Sequence, residues 1–129
     1  MTVHTGGCHC GAVRYEFTSE PDVVVHRCNC SICSLSGFLH LIIPRDRFRM
    51  ISGEDVLTAY SFNSGIARHY FCSICGIKSW YVPRSNPDGV SVNFRCVDPD
   101  TFGEVSIVDL DGRNWEATAP ALAHLSKPT

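Results

Sequence analysis

Apolar and polar residues alternate along much of this chain, with the period of half-buried strands. Val13, Tyr15 and Phe17 alternate with Arg14, Glu16 and Thr18. Pro21-Asp22 breaks that run, and residues 23–28 (Val-Val-Val-His-Arg-Cys) predict a second strand rich in β-branched side chains. Residues 38–43 predict a third strand, ended by Pro44, and residues 48–51 a fourth, with Ser52-Gly53-Glu54-Asp55 as its turn. Residues 56–62, 90–97 and 105–110 continue the pattern, while 67–71 and 78–82 lead into and out of a cysteine pair. Turns are expected at Asn63-Ser64-Gly65 and Asp98-Pro99-Asp100, the clearest loop at residues 83–89, and a hairpin signal at Asp111-Gly112, before Asn114-Trp115-Glu116. Only residues 31–37 suit a helical turn, stopped by Gly37. No window of helical length carries a 3.6-residue stripe, so the expected class is mainly β, with many short strands joined by turns. The tail from Ala117, rich in Ala and Pro, is expected to be loosely attached.

The length of 129 residues predicts one domain, residues 1–129, able to bury a core without metal or disulfide staples. A net charge of −2 argues against nucleic acid as a partner, and Arg45, Arg47 and Arg49 read as a solvated sheet face. The N-terminus shows no basic and apolar leader pattern. The longest apolar run, 38–43, contains His40 and is too short to span a membrane. These features predict a cytoplasmic protein, in which eight cysteines are better read as metal ligands than as disulfides.

Seven of the eight cysteines fall into three groups. In an extended chain, residues i and i+2 share a side, so Cys8 and Cys10 can grip one ion while His9 points away. Cys72 and Cys75 form a C-x-x-C knuckle in which Gly76 can take a positive φ. Together these pairs make the four thiolates of a closed, structural zinc site. Cys28, Cys30 and Cys33 then hold a second, open site suited to keeping a thiol cosubstrate as thiolate. The alternatives are that one pair belongs with the trio, that the trio is a redox cluster, or that His26 or His40 completes a second structural site. His69 and His4 could also reach a site. Asn29 and Ser31 read as turn residues, and Cys96 as a buried free thiol.

Three stretches also carry a family resemblance: Gly6-Gly7-Cys8-His9-Cys10-Gly11-Ala12-Val13-Arg14-Tyr15, Cys28-Asn29-Cys30-Ser31-Ile32-Cys33, and Phe71-Cys72-Ser73-Ile74-Cys75-Gly76. They resemble the glutathione-dependent formaldehyde-activating enzymes and the centromere protein V-like proteins. Val92-Asn93-Phe94-Arg95-Cys96-Val97-Asp98 and Asp111-Gly112-Arg113-Asn114-Trp115 resemble its later, looser parts. The resemblance implies an Mss4-like fold of small antiparallel sheets around zinc, with up to two zinc ions per chain. Cys8, Cys10, Cys72 and Cys75 would hold the structural ion. Cys28, Cys30 and Cys33 would hold the catalytic one, which takes the thiol of glutathione. The implied activity is that of a carbon–sulfur lyase joining glutathione and formaldehyde into S-hydroxymethylglutathione. Arg68, Arg95 or Lys78 are the candidates to pair with glutathione's carboxylates. The reading from another class is a non-catalytic, zinc-ribbon-like module that binds a protein partner.

Overall fold

Among the described residues, ten strands form two sheets. The structure is a computed structural model and describes residues 1–62 and 65–127. The smaller sheet has the order β1 (Thr2–Gly7), β2 (Arg14–Ser19), β5 (Phe48–Ser52), and both its pairs are antiparallel. The larger sheet contains β3 (Val23–Cys28), β4 (Leu39–Pro44), β6 (Leu57–Tyr60), β7 (Arg68–Cys72), β8 (Trp80–Val82), β9 (Gly89–Asn93) and β10 (Val105–Leu110). Its order is β10-β3-β4-β9-β8-β7-β6. The mainly β class expected from the hydrophobic pattern is the one the chain adopts. One pair departs from antiparallel pairing: β10 returns along β3 in parallel, in a register that sets Leu110 beside Cys28.

Alternation in β2 puts Tyr15 and Phe17 into a core with Leu41, Ile43, Val90, Val92 and Val97. β4 and β9 lie inside the larger sheet and are buried along their whole length, so neither shows an exposed face. The strand expected over 90–97 ends at Asn93. Its side-chain oxygen accepts the Arg95 N–H and opens a 3-10 turn, Phe94–Cys96. A smaller cluster of Cys8, Val13 and Cys72, flanked by Met50 and Leu57, packs beneath the first cysteine group.

Several local expectations are corrected. β1 carries no alternation signal and forms because β2 offers it a full antiparallel edge. Arg45–Arg47 make a 3-10 turn, so these arginines do not share a strand face with Arg49, which pairs with Glu16. Glu54–Val56 is likewise a 3-10 turn before β6. Asp111-Gly112 forms no hairpin: a 3-10 turn, Gly112–Asn114, runs into a short helix, α2 (Trp115–Thr118). Beyond it the chain is docked, not loose. Ala119, Leu122 and Ser126 are buried. Asn86 Nδ2 donates to Leu122 O at 2.8 Å and to Ser126 Oγ at 2.9 Å, and Lys127 pairs with Asp88 at 2.7 Å. Small side chains let this tail lie flat against β4 and β9, so its Ala-rich composition misleads. Of the turn expected at Asn63-Ser64-Gly65, the first two residues lie outside the described ones. No helix among the described residues is long and apolar enough to cross a membrane.

Candidate metal centres

The first centre joins two turns. Cys8 and Cys10 leave β1 in a tight loop closed by Cys8 N–H to Val13 O (3.0 Å), with Gly11 at φ 83°. The pair therefore converges through a turn, not through the extended chain its spacing implies. His9 is exposed, as expected. Cys72 ends β7, and its carbonyl accepts the Gly76 N–H at 2.8 Å, with Gly76 at φ 78°. Amides point at sulfur on both sides: Val13 N–H to Cys8 Sγ (3.3 Å) and Ile74 N–H to Cys72 Sγ (3.4 Å). The Cys10 backbone N–H, helped by the Ile77 amide and neighbouring thiols, brings Cys75 down to about 6. The four Sγ atoms all lie within 4.8 Å of one another. Two separations are 3.6 Å (Cys8–Cys10) and 3.7 Å (Cys10–Cys72). A tetrahedral ion with Zn–S bonds of about 2.3 Å requires about 3.8 Å between sulfurs, so the donor set fits zinc.

The second centre is built at one strand end. Cys28 closes β3, Cys30 caps helix α1 (Ser31–Ser36) and Cys33 lies in its first turn. Gly37, at φ 67°, ends the helix with its N–H on Cys33 O. The three Sγ atoms lie within 4.8 Å of one another, and no other His, Cys, Asp or Glu among the described residues joins them. The pairs thus satisfy each other and neither belongs with the trio. His26 and His40 sit opposite each other on β3 and β4, and neither completes the set. Hydrogen bonds from the Cys28 and Cys33 thiols hold Cys30 far below the usual thiol range, while the bond to Cys30 pushes Cys28 up and bonds to Cys28 and then Cys30 push Cys33 up. All eight cysteines are free of disulfides.

Behind the trio stands a row of buried rings. His40 Nε2 lies 3.1 Å from Cys33 Sγ, and its Nδ1 lies 3.0 Å from Ser91 Oγ and 3.3 Å from Tyr81 Oη. Burial holds His40 neutral, with its pKa lowered to about 3. Against a thiolate, Nε2 carries the proton and donates, and Nδ1 accepts from the two hydroxyls. His69 stacks on Tyr81 (4.8 Å, 11°) and receives Lys78 Nζ at Nδ1 (2.7 Å). Its Nε2 is buried without a partner.

A cavity of about 440 Å³ opens over the three thiols. Ile42, Tyr81 and His69 form one wall; Pro83, Arg84 and Ser85 form another; Gly112, Arg113, Trp115, Thr118, Ala119 and Leu122 close the third. The last wall is tied to the cysteine loop through Asn29. Asn29 Nδ2 donates to Asp111 Oδ1, while its Oδ1 and backbone O accept from Arg113 N and Nε, each at 3.1 Å. Asn29 is therefore a cross-brace, not only a turn residue. A Cβ at Gly112 would overlap Cys28 Sγ, so only glycine lets the wall come this close.

None of the three basic residues expected at a substrate anion lines this cavity. Lys78 is half-buried over the Tyr81 ring (4.0 Å), and its partial burial lowers it to about 8. Arg95 Nε donates to Gly37 O, and Arg68 lies exposed on β7 outside the cavity lining. The arginines that do line the cavity are Arg84 and Arg113; Arg84 stands in no motif, while Arg113 lies in the 111–115 stretch that resembles the family. His4 stacks on Phe102 (3.9 Å, 5°) away from both centres. Cys96 is half-buried outside both groups, and burial raises it to about 11.

A crystal structure of a Rhodobacter sphaeroides protein is similar at 35% identity with a TM-score of 0.67, covering 81% of this chain and 99% of that one. A curated Halomonas elongata protein, provisionally named a glutathione-dependent formaldehyde-activating enzyme, is 26% identical over 103 residues. That match takes in 74% of this chain and 66% of the relative's length. The sequence model of the glutathione-dependent formaldehyde-activating enzymes matches residues 3–107, which takes in all seven clustered cysteines. By that match and by the three cysteine motifs it contains, the chain belongs to the glutathione-dependent formaldehyde-activating enzyme family.

Proposed function

We propose that this protein is a zinc-dependent carbon–sulfur lyase that activates a small, glutathione-like thiol for reversible addition to an aldehyde. The observation that carries the reading is a trio of thiols with no fourth protein ligand among the described residues, at the floor of a cavity of about 440 Å³. Cys8, Cys10, Cys72 and Cys75 would hold a closed structural zinc, and Cys28, Cys30 and Cys33 an open, catalytic one. Zinc bound there lowers the pKa of a thiol in its fourth position and keeps it a thiolate nucleophile at neutral pH. The family supports glutathione and formaldehyde as the pair, with S-hydroxymethylglutathione as product.

The protein's own residues supply position and shelter. His40 Nε2 holds Cys33 Sγ in place and draws off part of its charge. Asn29, braced by Asp111 and Arg113, fixes the backbone between Cys28 and Cys30. Tyr81, Trp115 and Leu122 line the space over the thiols with apolar surface, which limits water around a bound thiol. The reaction is balanced without a further base. The thiolate sulfur bonds to the aldehyde carbon, the carbonyl π pair moves to oxygen, and that oxygen takes a proton from solvent. A reducing compartment such as the cytoplasm keeps the thiols available.

Zinc counting and calorimetric titration with glutathione test the reading. The expected result is up to two zinc ions per chain, one labile, and saturable glutathione binding only when the labile ion is present. Adduct formation with formaldehyde is then followed by NMR. One tight ion, with Cys28, Cys30 and Cys33 open to alkylation after metal loading, would sink the proposal and leave a protein-binding module in its place.

A further inference from the structure

The third wall of the cavity lies beyond the residues that the family model matches. The matched residues end at 107, yet Gly112, Arg113, Trp115, Ala119 and Leu122 bound the space over the thiols. Arg84 meets this wall: its guanidinium carbon lies 3.7 Å over the Trp115 ring. A guanidinium stacked by its face keeps its edge donors free for a planar anion. Arg113 is held at the same rim by its Nε on Asn29 O. Neither Asp nor Glu lines the cavity, so its charged lining is two arginines in a chain of net charge −2. The positive charge there is local, and Arg113 holds its part of it beside the loop that carries Cys28 and Cys30.

We propose that Arg84, stacked on Trp115 and seconded by Arg113, selects thiols that carry a carboxylate, so that the segment beyond residue 107 sets substrate choice. This deepens, and rests on, the reading of Cys28, Cys30 and Cys33 as a thiol-binding centre. Arg84 and Arg113 would read the carboxylate end of the thiol while its sulfur sits at the trio. A neutral thiol of the same size would leave both guanidinium groups without that partner. A cationic thiol would meet them with like charge.

The test is calorimetry of the zinc-loaded protein with three thiols of similar size: 3-mercaptopropionate, 2-mercaptoethanol and cysteamine. A charge-assisted hydrogen bond predicts that 3-mercaptopropionate binds about tenfold or more tighter than 2-mercaptoethanol, with cysteamine weakest. Arg84→Gln should bring the first ratio below about threefold with zinc content at the wild-type level, and Trp115→Leu should lower it in the same direction. Equal binding of 3-mercaptopropionate and 2-mercaptoethanol by the wild type overturns the inference while the thiol-binding reading stands. An Arg84→Gln protein that keeps the preference, or weakens both thiols alike, also overturns it. If none of the three thiols binds, the thiol-binding reading fails and this inference with it.

Discussion

At Gly112 the absent side chain does more than most side chains present, because the third cavity wall approaches Cys28 Sγ closely enough to exclude a Cβ, and Cys30 Cβ would lie 3.1 Å away. Gly112→Ala is therefore expected to displace Cys28 and to drop metal content from two zinc ions per chain towards one, read by mass spectrometry of the native protein. The thiols themselves predict a pH dependence. In the metal-free trio Cys30 is held far down while Cys28 and Cys33 are held up, so near neutral pH the trio carries one thiolate and two protons. An ion must expel both protons, so acid opposes binding and base favours it. Zinc affinity of the trio should fall about a hundredfold for each unit of pH lost within that window, as two displaced protons require, and chelator competition between pH 6.5 and 7.5 measures it. The two clusters of cysteines are legible in the sequence because C-x-C and C-x-x-C are local spacings. Gly112 is not, since its reason lies in Cys28, on a neighbouring strand in space and far away in the chain. The sequence offers His40 as a candidate, but only the fold separates a residue that hydrogen-bonds Cys33 from one that joins the cluster.

Among the elements, β2 is legible as an alternation and the fully buried β4 as a mostly apolar run, while β1 carries neither signal. β2 alternates because one side meets the core, and its pattern predicts it. β9, covered on both sides, stops at Asn93 for a side-chain hydrogen bond that no periodicity records. After residue 110 the sequence pattern suggests a hairpin and a loose tail, and the structure has instead a 3-10 turn, a short helix and a docked tail. Its order comes from partners far back in the sequence, chiefly Asn29 and Asn86. Asn86 is fully buried and serves as the tail's clasp. Asn86→Ala should cost about 2 kcal/mol for lost buried hydrogen bonds. It should also admit protease to the segment around Ala119 and Leu122 well before the sheets unfold, which limited proteolysis with mass mapping will show.

For the molecule as a whole, the two centres are predicted to have different consequences when lost. The first ties the turn after β1 to the knuckle after β7, with Cys10 and Cys72 62 residues apart in the chain. Cys10→Ser should lower the thermal midpoint by about 10 °C or more, because structural zinc contributes directly to folding free energy. Cys30→Ser should remove one metal equivalent and leave the midpoint within about 3 °C. Equal unfolding by both changes would show that the two centres do not divide their labour in this way. The separation of Cys10 from Cys72 also sets an order of events at the ribosome. The trio spans six residues and can capture metal soon after it emerges. Cys8 and Cys10 emerge earlier still, yet must wait as uncommitted thiols until Cys72 and Cys75 have been synthesised. On the proposed division of labour, the nascent chain would for that interval carry the trio ready and Cys8 and Cys10 exposed, so that the supply of metal and reductant during translation becomes a condition for pairing them correctly.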